Sequence, residues 1–357
     1  MISILEDHKQ RLWISMWAGG LNLLLPNEQD ISESTFRRFN PSEDKVTQNI
    51  WRIYQDTQHR YWAASVGGGM FLMELPNEAT NDRHQQNWIP TFTQFKNDKN
   101  NPNSLSNDMV FDIQEDAFGA LWISTDNGLN RINVDMLADL NVANIFDHYF
   151  HDSNNPRAVN SERIYHIYED DQNLLWFGGM NGISQYSWYG NQFENFLLFK
   201  NKGKEKILSI QADQDHIWIG TNDKGLIRVN KTNGTLTSYH FGLLENPIHS
   251  LYLSNKKELY AGTAKGIQKI NTITFQQESY PIPEELIRKS AHFAVNNIFK
   301  DKQGRIWMGT IAGLFRLDEQ TSTYKAYYHD PNNSNSISDN TVNDTVSYTH
   351  LTLPTKA

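Results

Sequence analysis

Large aromatic residues recur along this chain at near-even intervals: Trp13, Trp62, Trp122, Trp176, Trp218 and Trp307, with Tyr260 in the same role. The spacing, roughly 42 to 60 residues, is that of a repeat array of propeller blades. The neighbourhood of each ring repeats as well. Leu121-Trp122-Ile123-Ser124-Thr125 with Gly128-Leu129 is echoed by Ile217-Trp218-Ile219-Gly220-Thr221 with Gly225-Leu226, and by Ile306-Trp307-Met308-Gly309-Thr310 with Gly313-Leu314. Weaker copies surround Trp62, Trp176 and Tyr260.

About nine residues before each ring lies a short β-branched run ending near an acid, as in Val110 and Ile113 before Asp116, Ile164 and Ile167 before Asp170, and Val295 and Ile298 before Asp301. Asp116 to Gly119 and Asp301 to Gly304 have turn chemistry: the carboxylate bonds its own backbone and Gly adopts a positive φ. A hairpin follows, and its second strand carries the ring. The glycine-bearing turn after the ring leads into a third strand such as Leu129 to Ile132. Paired aromatics mark a fourth: Phe36 and Phe39, Phe92 and Phe95, Phe146 and Tyr149, Phe193 and Phe196, Phe275 and Tyr280, Tyr324 and Tyr327. The expected fold is all-β, a β-propeller of about seven four-stranded blades over residues 1–345. One such sheet cannot bury both of its faces, whereas sheets stacked radially bury both against their neighbours. Asp135 to Asn141 and Pro283 to Lys289 read as short helical insertions.

Residues 341–344 begin a further copy, but no Trp follows. Residues 346–357 read as a non-native, adaptor-like tail, and both ends look cut from a longer chain. Net charge is −9 with no basic stripe, which argues against nucleic acid and against anionic membrane surfaces as partners of this region. The chain has no cysteine, so thiolate chemistry and Cys-type zinc sites are excluded.

The recurring order of apolar strand, acid, Gly, Leu-Trp-Ile-Gly-Thr and Gly-Leu, linked by connectors such as Asn101-Pro102-Asn103-Ser104-Leu105-Ser106, resembles the two-component regulator propeller repeat. The resemblance implies the periplasmic sensor region of an inner-membrane hybrid histidine kinase that forms homodimers through the full-length protein, with signal transduction by phosphorelay. The kinase lies outside this fragment, which is not itself expected to be an enzyme. It further implies sensing of oligosaccharides or another small ligand.

The recurring acids Asp116, Asp170 and Asp301 read as turn-formers. Their surroundings approach the Asp-box of sialidase-type propellers, but with one residue too many between Asp and Gly; a glycosidase is therefore the weakest alternative. The twelve histidines, among them His148, His151, His166 and His249, form no ligand motif, and Gly67-Gly68-Gly69 sits at the recurrent turn with no helix after it. No catalytic residue, metal site or cofactor is expected. Ligand contacts are expected where the turns between second and third strands meet the connectors around the channel mouth: Trp17, Asp126, Asn127, Arg163, Asn181, Asn222, Asp223 and Lys265. Amides, carboxylates and an aromatic face suit sugars. A protein-interaction scaffold without a small ligand is the alternative.

Overall fold

The computed structural model describes residues 3–25, 35–76, 88–133, 146–188, 192–196, 206–239, 247–255, 257–287, 293–340 and 346–347. Seven antiparallel sheets of four consecutive strands account for them. Their first strands are Ile4–Glu6, Ile50–Gln55, Val110–Glu115, Ile164–Glu169, Ile207–Ala212, Ser250–Asn255 and Val295–Lys300, and the sheets are numbered here as blades one to seven in that order. The fourth strands of blades five and six, Leu236–Tyr239 and Gln277–Pro281, carry one aromatic each; Phe275, expected to mark the latter, lies in the turn before it with φ +59°. The helical reading of Pro283 to Lys289 is corrected: a single 3₁₀ turn, Glu284–Leu286, follows Pro283. Leu286 and Ile287 pack on the core between blades six and seven, and Arg288 and Lys289 lie outside the described residues. Asp135 to Asn141 lies outside the described residues.

The blades close into one ring. Each of the seven apolar cores joins two neighbouring blades, and one of them joins the last to the first: Phe299, Trp307, Leu314 and Tyr327 pack with Ile4, Leu12, Ile14 and Phe36. Among the described residues, no blade takes one of its own four strands from the far end of the chain. Instead the connector after blade seven docks on blade one, with Ile337 fully buried, the Phe36 amide donating to the Asn335 carbonyl at 2.8 Å and the Ser338 amide donating to Asn22 Oδ1 at 3.2 Å. The connector into blade three does the same with Leu105: the Phe146 amide donates to the Asn103 carbonyl at 3.2 Å, and the Ser106 amide to Asn130 Oδ1 at 2.8 Å. The connector contacts at ring closure thus copy those of an ordinary blade junction, with one difference. Val346–Ser347 adds a parallel pair beside the first strand of blade one.

The recurring acids do form turns, and each has a second role that holds its ring. Asp116 Oδ1 accepts the amides of Phe118 and Ala120 at 2.9 Å each, while Oδ2 accepts Trp122 Nε1–H at 2.8 Å. The same bond joins Asp7 to Trp13, Asp56 to Trp62, Asp170 to Trp176, Asp213 to Trp218 and Asp301 to Trp307, all between 2.8 and 3.0 Å. A buried indole N–H needs such a partner. Blade six has neither the acid nor the Trp, and there Glu319 of blade seven accepts the Tyr260 hydroxyl at 2.9 Å and the ammonium groups of Lys269 and Lys300. Glycine is required at the turn after the ring, where Gly128 has φ +80° and a Cβ would meet the Tyr149 carbonyl oxygen at 2.4 Å.

On the face of the hairpin turns, the last residue of a first strand reaches back to the turn of the preceding blade. Gln55 Oε1 accepts the His8 amide, Glu115 Oε2 the Thr57 amide and Glu169 Oε1 the Ala117 amide, at 2.7 to 2.9 Å. Burial pushes the Glu169 carboxyl up to about 7 against that hydrogen bond, and Asp116, Asp170 and Glu115 add to the rise. The proton is therefore held more tightly in the folded chain, so stability present below the ordinary value of 4.5 is lost as pH rises through about 7. Glu169→Gln keeps the acceptor without the charge. It is expected to raise stability by about 1–2 kcal/mol at pH 8 and to change it little at pH 4. Chemical denaturation at both pH values checks this, and an equal effect at both would refute it.

Candidate functional site

Among the described residues, first strands of adjacent blades are not hydrogen-bonded to one another as a sheet, so their inward backbone groups need other partners. Side chains at the third position of the strand, or its equivalent, supply them. Ser3 Oγ accepts the Ile53 amide at 2.5 Å, Asp112 Oδ2 accepts the Ile167 amide at 2.8 Å, and Ser250 Oγ donates to the Val295 carbonyl at 2.8 Å. Arg52 forms an ion pair with Asp112 at 2.8 Å. Burial pushes the Asp112 carboxyl up to about 6, opposed by Arg52. Burial, with the charge of Arg52 nearby, brings the His166 imidazole down to about 3, so this buried ring is neutral.

One residue earlier the strand bulges. Register shifts between Ile50 and Arg52, Ile164 and His166, Ile207 and Ser209, and Val295 and Asn297, and in blade three Val110 and Asp112 oppose adjacent residues. A bulge re-aims the extra side chain away from the ladder. In blades two to four the bulged residues are Trp51, Phe111 and Tyr165, and they form a continuous arc. Trp17 lies 6.2 Å from Trp51, Trp51 5.4 Å from Phe111 and Phe111 5.3 Å from Tyr165, all between ring centroids. Lys206 Nζ, just before the first strand of blade five, caps the arc at 4.5 Å from the Tyr165 centroid. Trp17 is 41% exposed, Trp51 is partly covered, and Phe111 and Tyr165 are buried. The arc therefore descends from the rim toward the channel.

Several expected contact residues meet this arc. Trp17 forms its outer end, Arg163 is paired with Asp126, and Arg163 Nη1 stands 3.5 Å from the Tyr165 hydroxyl. Asn222 donates its backbone amide to the Lys206 carbonyl and its side-chain amide to Asp223. Asn181 faces another way, with Nδ2 holding the Asn160 carbonyl at 2.9 Å. Asn127 and Lys265 are exposed turn residues whose amides bond Thr125 and Thr263. Sequence reasoning passed over Trp51, Phe111, Tyr165 and Lys206. The signal was available: in three copies a bulky ring directly follows the first β-branched residue of the strand, as in Ile50-Trp51, Val110-Phe111 and Ile164-Tyr165.

Two histidines of the sequence reading serve the scaffold: His148 Nε2 bonds the Ser104 carbonyl and His151 Nδ1 the Val159 carbonyl, each at 2.8 Å. Among the described residues no three His, Cys, Asp or Glu side chains are grouped to hold a metal ion, and no helix is long and apolar enough to cross a membrane.

Fold and junctions define a closed seven-bladed β-propeller whose inner strands present an aromatic arc at one mouth of the channel. In blades three, four and seven, residues 104–127, 158–181 and 294–312 match the two component regulator propeller repeat. The first two segments each run from a connector through the first hairpin to the turn that follows it, and the third covers the hairpin of blade seven. Among solved structures, the chain is similar to the extracellular domain of the hybrid two-component system BT3049 from B. thetaiotaomicron, at 20% identity and TM-score 0.58 over 92% of this chain and 47% of that one. The extracellular domain of BT4673, a one-component system of the same organism, matches at 18% identity and TM-score 0.58, over 92% and 49%. This chain thus spans about half the length of those two domains. Virginiamycin B lyase from Staphylococcus aureus shares the fold equally well, with TM-score 0.58, 16% identity, and coverage of 83% and 88%. The fold alone therefore does not select between sensor and enzyme. No curated protein matches the chain by sequence.

Proposed function

We propose that this propeller is the extracytoplasmic ligand-binding region of a two-component signalling protein, that an oligosaccharide seats at the arc-bearing mouth, and that occupancy controls a kinase in the full-length protein. The repeats of blades three, four and seven and the extracellular neighbours support the class. The observation that carries the binding site is the arc itself: rings from four successive blades, graded from exposed to buried, ending on a cation. Flat apolar faces bordered by Asp126, Arg163 and Asn222 suit the faces and hydroxyls of sugar rings. A densely packed ring shifts as a body more readily than it deforms, so the signal leaves as a displacement against neighbouring domains or a second copy in the periplasm.

Calorimetry with a broad oligosaccharide panel tests the reading. Saturable heats are expected from at least one glycan, and Trp17→Ala is expected to weaken that binding about tenfold, since its ring is 41% exposed and meets Trp51 only edge-on. Silence across the panel would favour the scaffold reading instead.

A further inference from the structure

Cations outnumber their partners at the inner end of the arc. Arg52 is committed to Asp112, and Arg163 to Asp126. Lys206 is only partly exposed, and among the described residues no carboxylate pairs with it; its contact is the Tyr165 face. Burial, followed by the charge of Arg163, lowers the Lys206 ammonium, and Lys206 in turn helps lower His249, which burial brings down to about 4. A desolvated ammonium without a counter-charge is costly unless something supplies one. The chain as a whole is acidic, with net charge −9, so this local excess of positive charge is set against its surroundings. Close by on the arc, Trp51 Nε1–H is a second buried donor with no partner among the described residues.

We propose that the ligand seated at this mouth carries an anionic group, a carboxylate or a sulfate ester, and that Lys206 binds it with Arg163 beside it while Trp17 and Trp51 face the attached ring. This rests on the ligand-binding reading above and narrows it to acidic glycans. A neutral sugar would stack on the outer rings and leave the ammonium without a counter-charge; an acidic one satisfies both ends of the arc.

The test is calorimetry on the full chain with matched pairs: trigalacturonate against neutral galactotriose, and a sulfated disaccharide against its desulfated form. At least one acidic member is expected to bind about tenfold tighter than its neutral counterpart, with affinity falling as salt rises. The galacturonate and sulfate arms separate the two sources of charge. Lys206→Gln is expected to abolish the preference, so that acidic and neutral members bind alike, and Lys206→Arg to restore most of it. Neutral members binding as tightly as acidic ones, or a preference that survives Lys206→Gln, would overturn this proposal and leave the ligand-binding reading standing. Absence of heat from every member of the pairs and of the broader panel would overturn both.

Discussion

Trp122→Ala is expected to lower folding stability by about 3–5 kcal/mol. The indole is fully buried between blades three and four, in contact with the rings of Tyr149, Phe177 and Tyr186 at centroid distances of 5.0, 5.4 and 4.8 Å. Alanine leaves a cavity among rigid rings that cannot collapse to fill it. It also removes the indole donor from Asp116 Oδ2, which then keeps only Arg131 at 3.4 Å beside its turn. Trp122→Phe retains much of the wedge and loses the hydrogen bond, so its cost should be smaller, about 1–3 kcal/mol. Urea denaturation followed by circular dichroism reads both. An unchanged midpoint for the alanine variant would mean that the ring does not wedge the blades apart.

The second large effect is expected at Asp7, where one carboxylate serves two blades. Oδ1 accepts the amides of Lys9 and Arg11 at 2.9 Å, and Oδ2 accepts Arg11 Nε–H at 2.6 Å, Trp13 Nε1–H at 2.9 Å and the Tyr61 hydroxyl of blade two at 2.8 Å. Arg11 is buried, so Asp7→Ala takes the Asp7 counter-charge from a guanidinium and the acceptor from two backbone amides, one indole and one hydroxyl. Removing one partner of a buried pair typically costs about 3–5 kcal/mol, and that loss is expected here. Asp56 makes the corresponding bonds within blade two, to Gln58, Arg60 and Trp62. Asp56→Ala should therefore cost at least about 1 kcal/mol less than Asp7→Ala, since it lacks the cross-blade hydroxyl and its Arg60 is more exposed than Arg11. Equal losses in the two variants would show that neither the Tyr61 bond nor the deeper burial of Arg11 matters.

The blade was legible in the sequence because its determinants are local. Trp, Gly and Asp recur at fixed offsets, and each acts within a single hairpin. The indole bond to the acid was not read, although its six-residue spacing is almost invariant, because turn formation already accounted for the carboxylate. Ring closure was beyond the sequence: it joins Ile337 and Phe299 to Phe36 and Ile4 across nearly the whole chain, and although Ser336-Ile337-Ser338 repeats the connector pattern of Ser104-Leu105-Ser106, that pattern does not say which blade it docks on. The site was half legible. Trp17 and Asp126 stand on turns that announce themselves and Arg163 on a connector, whereas Trp51, Phe111 and Tyr165 owe their direction to a bulge, whose mark in the sequence is only that the inward residues Ile50 and Ile53, Val110 and Ile113, and Ile164 and Ile167 stand three apart instead of two.

The channel, its mouth and the arc all depend on blade seven meeting blade one. The chain has no cysteine, so two can be introduced without background: Arg38→Cys on the fourth strand of blade one and Asn335→Cys on the final connector. Both positions are exposed, and the backbone between them is joined by the 2.8 Å bond from Phe36 to Asn335. Treated with a short bifunctional maleimide at low protein concentration, the folded chain should form one intramolecular crosslink that consumes both thiols and is lost in denaturant. Two thiols that react independently, or crosslink only between molecules, would mean that the ring is open.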